Sequence, residues 1–109
     1  MAWHRVASVG DLSSGEVKAI EVEGRAMALV RDGDAYFATQ RACLHQGGDL
    51  SEGIVSRGFL ICPVHGWKFR VATGVHEISP ETCLVTYAVR IEGEDVLVDP
   101  TPRRQQWRP

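Results

Sequence analysis

The chain has 109 residues, 44% of them apolar and 24% charged, which is the composition of one folded domain and argues against disorder. Its net charge of −2 is unevenly spread: without Arg103, Arg104 and Arg108 of the last nine residues, 9 basic residues face 14 acidic ones. That balance disfavours nucleic acid as a partner, because phosphate binding needs a basic face, and it is compatible with salt-sensitive docking onto a basic patch of a protein.

Met1 to Arg5 lead directly into a strand pattern with no apolar stretch of signal-peptide type. No run approaches the ~18 apolar residues of a membrane span, so no membrane segment and a cytoplasmic location are expected. His4 to Ser8 read as a first strand and residues 11–15 as a loop. Val17 to Val22 and Arg25 to Arg31 flank a turn at Glu23-Gly24. Asp32-Gly33, a pair suited to the positive φ of a tight hairpin, separates Ala28-Leu29-Val30 from Tyr36-Phe37-Ala38. Residues 58–61 are strand-like. Later, Val85, Tyr87, Val89 and Ile91 alternate with Thr86, Ala88 and Arg90, which predicts a strand with one buried face. Glu92-Gly93-Glu94 turns that strand into Val96-Leu97-Val98, and residues 101–109 read as a loose tail. Helical periodicity is nowhere sustained. The expectation is an all-β chain of antiparallel sheets, one domain over residues 1–100.

The middle of the chain carries the chemistry. Residues 41–53 and 62–70 are expected as two Gly-containing loops, holding Cys43-Leu44-His45 and, sixteen residues on, Cys62-Pro63-Val64-His65. Three cysteines is an odd count, and the local pairing is of Cys with His, which reads as metal binding in a reducing compartment. Each loop offers one soft thiolate and one imidazole. Two thiolates can hold one ferric ion while two neutral imidazoles hold its twin, bridged by sulfide, the arrangement of a Rieske-type [2Fe–2S] cluster. Gly47-Gly48 and Gly66 let backbone amides approach the sulfides, and Pro63 stiffens the second loop. A structural Cys2His2 zinc site would use the same four residues, although zinc sites more often pair Cys with Cys and His with His. The plain alternative, two small buried cysteines and two satisfied core histidines, would have to occur twice in matching loops.

The pattern C-x-H-x16-C-x-x-H, with H-x-G-G-x-L at the first histidine and C-P-x-H-G-W-x-F at the second cysteine, resembles the Rieske ferredoxins. Trp3, Val6, Leu12, Gly15, Thr73-Gly74, Pro80 and Leu84-x-x-Tyr87-x-Val89 extend the likeness over most of the chain. It is nearest the small ferredoxin components of bacterial aromatic-ring mono- and dioxygenases, including the toluene monooxygenase type. The resemblance implies a Rieske-like domain with a small cluster-binding subdomain formed by two loops, and Cys43, His45, Cys62 and His65 as ligands. It implies a one-electron carrier and not an enzyme, meeting a flavin-dependent ferredoxin reductase and a terminal oxygenase in turn as a monomer with transient contacts. A different reading is a small Rieske-like subunit fixed in a larger redox complex such as nitrite reductase. High-potential Rieske subunits carry an extra Cys in each loop, at the positions of Gly48 and Val64, and Ser and Tyr donors at those of Trp67 and Phe69. Their absence here implies a potential at the low end of the Rieske range, on the order of −150 mV. Histidine ligation also implies a potential that falls in alkaline solution, which voltammetry across pH would check.

The remaining candidates are weaker. Cys83, with no histidine nearby, reads as a half-buried free thiol. His4 and His76 read as surface or loop residues without a metal. Trp67 is expected to pack beneath the loops, Gln46 to lie near the cluster tip, and the Arg-rich tail to be solvated.

Overall fold

A computed structural model describes residues 3–44, 48–64, 66–79 and 81–103. Nine strands form among them: β1 (His4–Ser8), β2 (Val17–Val22), β3 (Arg25–Asp32), β4 (Ala35–Gln40), β5 (Ile54–Ser56), β6 (Phe59–Ile61), β7 (Lys68–Arg70), β8 (Thr86–Glu92) and β9 (Asp95–Pro102). The described residues contain no α-helix, only a short 3-10 turn at Leu50–Glu52. All named strand pairings are antiparallel, in a six-stranded sheet of order β1-β9-β8-β4-β3-β2 and a three-stranded sheet β5-β6-β7. The all-β, antiparallel expectation holds.

The turns follow from local chemistry. Glu23 and Gly24 both have positive φ (51° and 81°), as do Arg57 and Gly58 (54° and 82°), the two-residue geometry that matches strand twist. At the hairpin between β3 and β4 the last rung is Asp32 with Ala35, so the turn is Gly33-Asp34, one residue later than the Asp-Gly reading. Gly33 supplies the positive φ there, at 64°.

Strand β3 is buried on both faces, and this divides the interior. Met27 and Leu29 point into a core shared with Leu12, Tyr87, Val96 and Val98. Ala28 and Val30 point the other way, into a second core with Leu50, Leu60, Phe69 and Leu84. The three-stranded sheet covers this second core through the inner row Val55, Leu60 and Phe69.

Three expectations are corrected. The alternation of β8 fails at its end: a bulge between Tyr87 and Val89 shifts the register, and Ile91 is 43% exposed in the projecting tip of the hairpin. Residues 101–103 are not loose, because β9 continues through Pro102 and the Arg103 N–H donates to the Thr86 carbonyl at 2.8 Å. The second expected loop is shorter than 62–70, since residues 68–70 are strand β7. Arg104, Arg108 and the rest of the tail lie outside the described residues.

Candidate metal centre

Each cysteine stands where a strand hands over to a loop, and each loop is closed in the same way. The Cys43 N–H donates to the Gly48 carbonyl at 2.6 Å, and the Cys62 N–H donates to the Trp67 carbonyl at 2.8 Å. The cysteine amide thus bonds the carbonyl five residues on in both loops, which fixes both roots to the sheets. Above the roots, Leu44 is 48% exposed, and Pro63 and Gly66 are exposed as well.

The first root is tied a second time by charge. Ala42 bridges Asp49, and the Arg41 guanidinium reaches the Asp49 carboxylate from Nε (3.2 and 3.3 Å) and Nη2 (3.1 Å). Asp49 also accepts from the Ser51 N–H at 2.9 Å and the Ser51 hydroxyl at 2.6 Å, capping the 3-10 turn. The Arg41 hydrogen bonds, with those of Ser51, hold the Asp49 carboxyl at about 2 against burial that opposes them. A depressed carboxyl contributes its full stability above its unfolded value of ~3.9 and loses it as pH falls through the folded value. Asp49→Ala is therefore expected to cost about 1 kcal/mol at neutral pH, mainly as a lost cap. Urea titrations should show the gap to the parent narrowing between pH 4 and pH 2. A gap independent of pH would contradict the pairing.

Cys62 is fully buried and Cys43 is 4% exposed, and both belong to the core of Leu50, Leu60 and Phe69. The loops touch at their roots. A Cβ placed on Gly48 would stand 2.9 Å from the Cys62 sulfur and 2.8 Å from Val64 Cγ2, closer than real Cβ contacts allow. Glycine at position 48 is thus a packing requirement of the second loop's thiol. Gly48→Ala is expected to cost roughly 1–3 kcal/mol by overpacking, with part of the bound iron lost. Iron analysis and thermal melting against the parent check this, and a fully iron-loaded variant of unchanged stability would refute it.

Two soft donors buried in one core beneath exposed loop tips suit a group gripped by sulfur from within and reached from solvent above. His45 and His65, expected to supply the outer ligands, lie outside the described residues, as does Gln46. Among the described residues no group of three or more His, Cys, Asp and Glu is gathered for one metal.

Other candidates are now placed. Cys83 is more buried than expected, at 9% exposure: it bridges Val75, and its thiol lies 3.4 Å from the Thr73 carbonyl it donates to. Burial pushes that thiol up, away from the thiolate a metal would need. His76 lies outside the named strands, as a loop reading expects, but it is half-buried. Its ring meets Trp67 edge-on at 4.6 Å and Phe69 at 5.3 Å, while Nδ1 accepts from the Ile78 and Ser79 amides, both at 3.1 Å. Trp67 packs beneath the second loop as expected, 6.3 Å from Phe69. His4 of β1 lies 2.7 Å from Glu23, which follows β2, so this exposed contact joins the two edge strands of the larger sheet. The Arg41–Asp49 tie and the His76 support carried no local signal, since each joins residues several positions apart through a loop.

The sequence profile of the Rieske [2Fe-2S] domain matches residues 2–88. The chain belongs to the Rieske [2Fe-2S] family. It is 38% identical to the ferredoxin component of biphenyl 2,3-dioxygenase from Rhodococcus jostii (strain RHA1), over 91% of this chain and 94% of that protein. Its fold superposes on the ferredoxin of carbazole 1,9a-dioxygenase from Nocardioides aromaticivorans IC177 with a TM-score of 0.85 and 30% identity, covering 93% of this chain and all of the other. A second structure, a complex of reduced oxygenase and oxidised ferredoxin in carbazole 1,9a-dioxygenase, matches with a TM-score of 0.85 and 30% identity over 94% of this chain and 97% of the other. One Rieske-type [2Fe–2S] cluster is accordingly the cofactor of this Rieske chain, which removes the zinc alternative. The relatives are electron-transfer components and not the catalysts of their systems. No helix among the described residues is long and apolar enough to cross a membrane.

Proposed function

We propose that the chain is a one-electron carrier that accepts from a flavin-dependent reductase and delivers to a terminal oxygenase in the cytoplasm, with Cys43 and Cys62 on one iron and His45 and His65 on the other. The observation that supports it most is the pair of buried cysteines at matched loop roots beneath exposed tips. The cluster supplies reversible one-electron chemistry. The chain does the rest. Cys43 and Cys62 hold their sulfurs in a dry core, where thiolates are shielded from oxidation and hydrolysis. The amide-to-carbonyl closures and the Arg41–Asp49 tie keep the loop roots from spreading as charge changes. Leu44, Pro63 and Gly66 form the part of the surface a partner meets first, and contact there is expected to be small and short-lived, as a shuttle requires.

Electron paramagnetic resonance of the dithionite-reduced protein, with iron and zinc measured on the same sample, tests the ligand assignment. Two irons per chain with a mixed nitrogen–sulfur signature are expected; stoichiometric zinc or all-sulfur ligation would reject it. Salt-sensitive reduction of a separate oxygenase distinguishes a shuttle from a fixed subunit, which would copurify tightly with one larger chain.

A further inference from the structure

Between residues 53 and 76 the chain has no acidic side chain and three cations, Arg57, Lys68 and Arg70. This stretch carries +3 and the rest of the chain −5, within a whole of −2. It is also the stretch that folds into the three-stranded sheet. The register sets Ile54 beside Ile61 and Lys68, and Ser56 beside Phe59 and Arg70, on the face turned away from the core. That outer face has an apolar row, with Phe59 and Ile61 half-buried on the middle strand and Ile54 57% exposed on the edge strand β5, and it is cationic at Arg57 and along β7. The Arg70 guanidinium lies 5.1 Å over the Phe59 ring. None of the three cations enters an ion pair among the described residues, where the five pairs formed all lie elsewhere. A groove of about 420 Å³ crosses the face between Arg57, Phe59, Ile61 and Lys68, and Glu77 is the one carboxylate lining it. Strand β6 ends at Ile61, one residue before Cys62, so the face runs up to a cysteine root.

We propose that the outer face of β5–β6–β7 is a docking surface for an acidic redox protein, one whose contact area has an apolar centre ringed by carboxylates. The proposal rests on the carrier reading and adds the polarity of the partner. A positive lobe on a negative body gives the chain a dipole that turns this lobe toward a negative partner at encounter. An exposed Ile and a half-buried Phe with a stacked Arg form the kind of centre that then excludes water from a protein contact. Three cations around an apolar middle are too few and too dispersed to track a phosphate backbone.

A flavodoxin of strongly negative charge serves as the probe, with the cluster-loaded full chain. The chain has only two lysines, Lys18 and Lys68, so carbodiimide coupling of amines to carboxylates reports the contact directly. A cross-link from Lys68 to a flavodoxin carboxylate is expected at low salt; a cross-link confined to Lys18 or the terminal amine, or none, overturns the proposal. Stopped-flow kinetics give the second test. One electron leaves the flavin hydroquinone, which becomes the semiquinone, and reduces the oxidised holo-protein. Lys68→Glu with Arg70→Glu should slow this step at least about tenfold at low ionic strength, whereas Lys18→Glu on β2 with Arg25→Glu on β3, the same change of charge, should slow it less than about threefold. Equal slowing by both pairs, or stronger retention on duplex DNA than on immobilised flavodoxin, overturns the docking surface. A holo-protein with the expected resonance signal that fails both tests loses only this proposal, whereas absence of the signal removes the carrier reading itself.

Discussion

Replacing Cys62 with serine will yield a protein without a reducible centre: no iron retained on gel filtration, no visible charge-transfer absorption and no resonance signal after dithionite. Cys43→Ser is expected to do the same, and Cys83→Ser to leave all three intact. The contrast depends on where the three thiols sit. Cys62 and Cys43 are 0% and 4% exposed in one core, each at a loop root, with Gly48 packed against the Cys62 sulfur. A serine oxygen is a harder donor that gives up its proton far less readily, and so cannot replace a thiolate grip on iron. Cys83 is nearly as buried, yet it bonds the Thr73 carbonyl in a corner outside both loops, and burial holds its proton on. Burial alone thus does not single out a ligand; burial at a loop root does. The loss should also lower the melting temperature, since the cluster joins two loops whose roots, Cys43 and Cys62, are separated by eighteen residues, and its binding energy is available to the fold. Retained iron in Cys62→Ser, or lost iron in Cys83→Ser, would overturn the assignment.

The parts of the fold that were legible in the sequence are those where local chemistry and long-range packing agree. β2 and the start of β3 fall where expected because both flank a turn that favours positive φ at Glu23-Gly24. The ligand pattern was legible because metal chemistry restricts residue type and spacing together. What escaped has identifiable causes. β5 and β7 are three residues each, too short for a period to show, and they exist as strands because β6 pairs with both and their inner row fills the second core. Ile91 continues a good alternation in sequence, but a bulge between Tyr87 and Val89 breaks the register before it and leaves it exposed near the hairpin turn. Thr101 and Pro102 look like tail, although pairing of Pro102 with Tyr87 draws them into β9. The support His76 gives to Trp67 and Phe69 escaped because nothing nearby in sequence predicts that its ring will meet theirs edge-on.

The one-electron midpoint of the holo-protein is expected on the order of −150 mV, at the low end for Rieske centres. The reduced cluster carries one more negative charge than the oxidised one, so each donor aimed at its sulfurs favours reduction. Two positions that carry hydroxyl donors in high-potential relatives are filled here by Trp67 and Phe69. Phe69 is fully buried, its ring held by an edge contact with His76 and a tilted one with Trp67, and it offers no polar hydrogen to anything. Phe69→Tyr restores a donor at nearly constant volume. If the new hydrogen bond strengthens by about 1 kcal/mol on reduction, the midpoint should rise by roughly 40 mV, because 59 mV corresponds to a factor of ten for one electron. A tyrosine hydroxyl buried with no such acceptor would instead cost about 1–3 kcal/mol of stability and leave the potential where it was. Voltammetry and thermal melting on the same pair of proteins therefore separate the two outcomes. A raised potential with stability preserved places position 69 within reach of a cluster sulfur; an unmoved potential with a lower melting temperature places it too far away. A parent midpoint above zero would show that something other than these two side chains supplies the donors, and the backbone amides of the glycine-bearing loops would be the place to look.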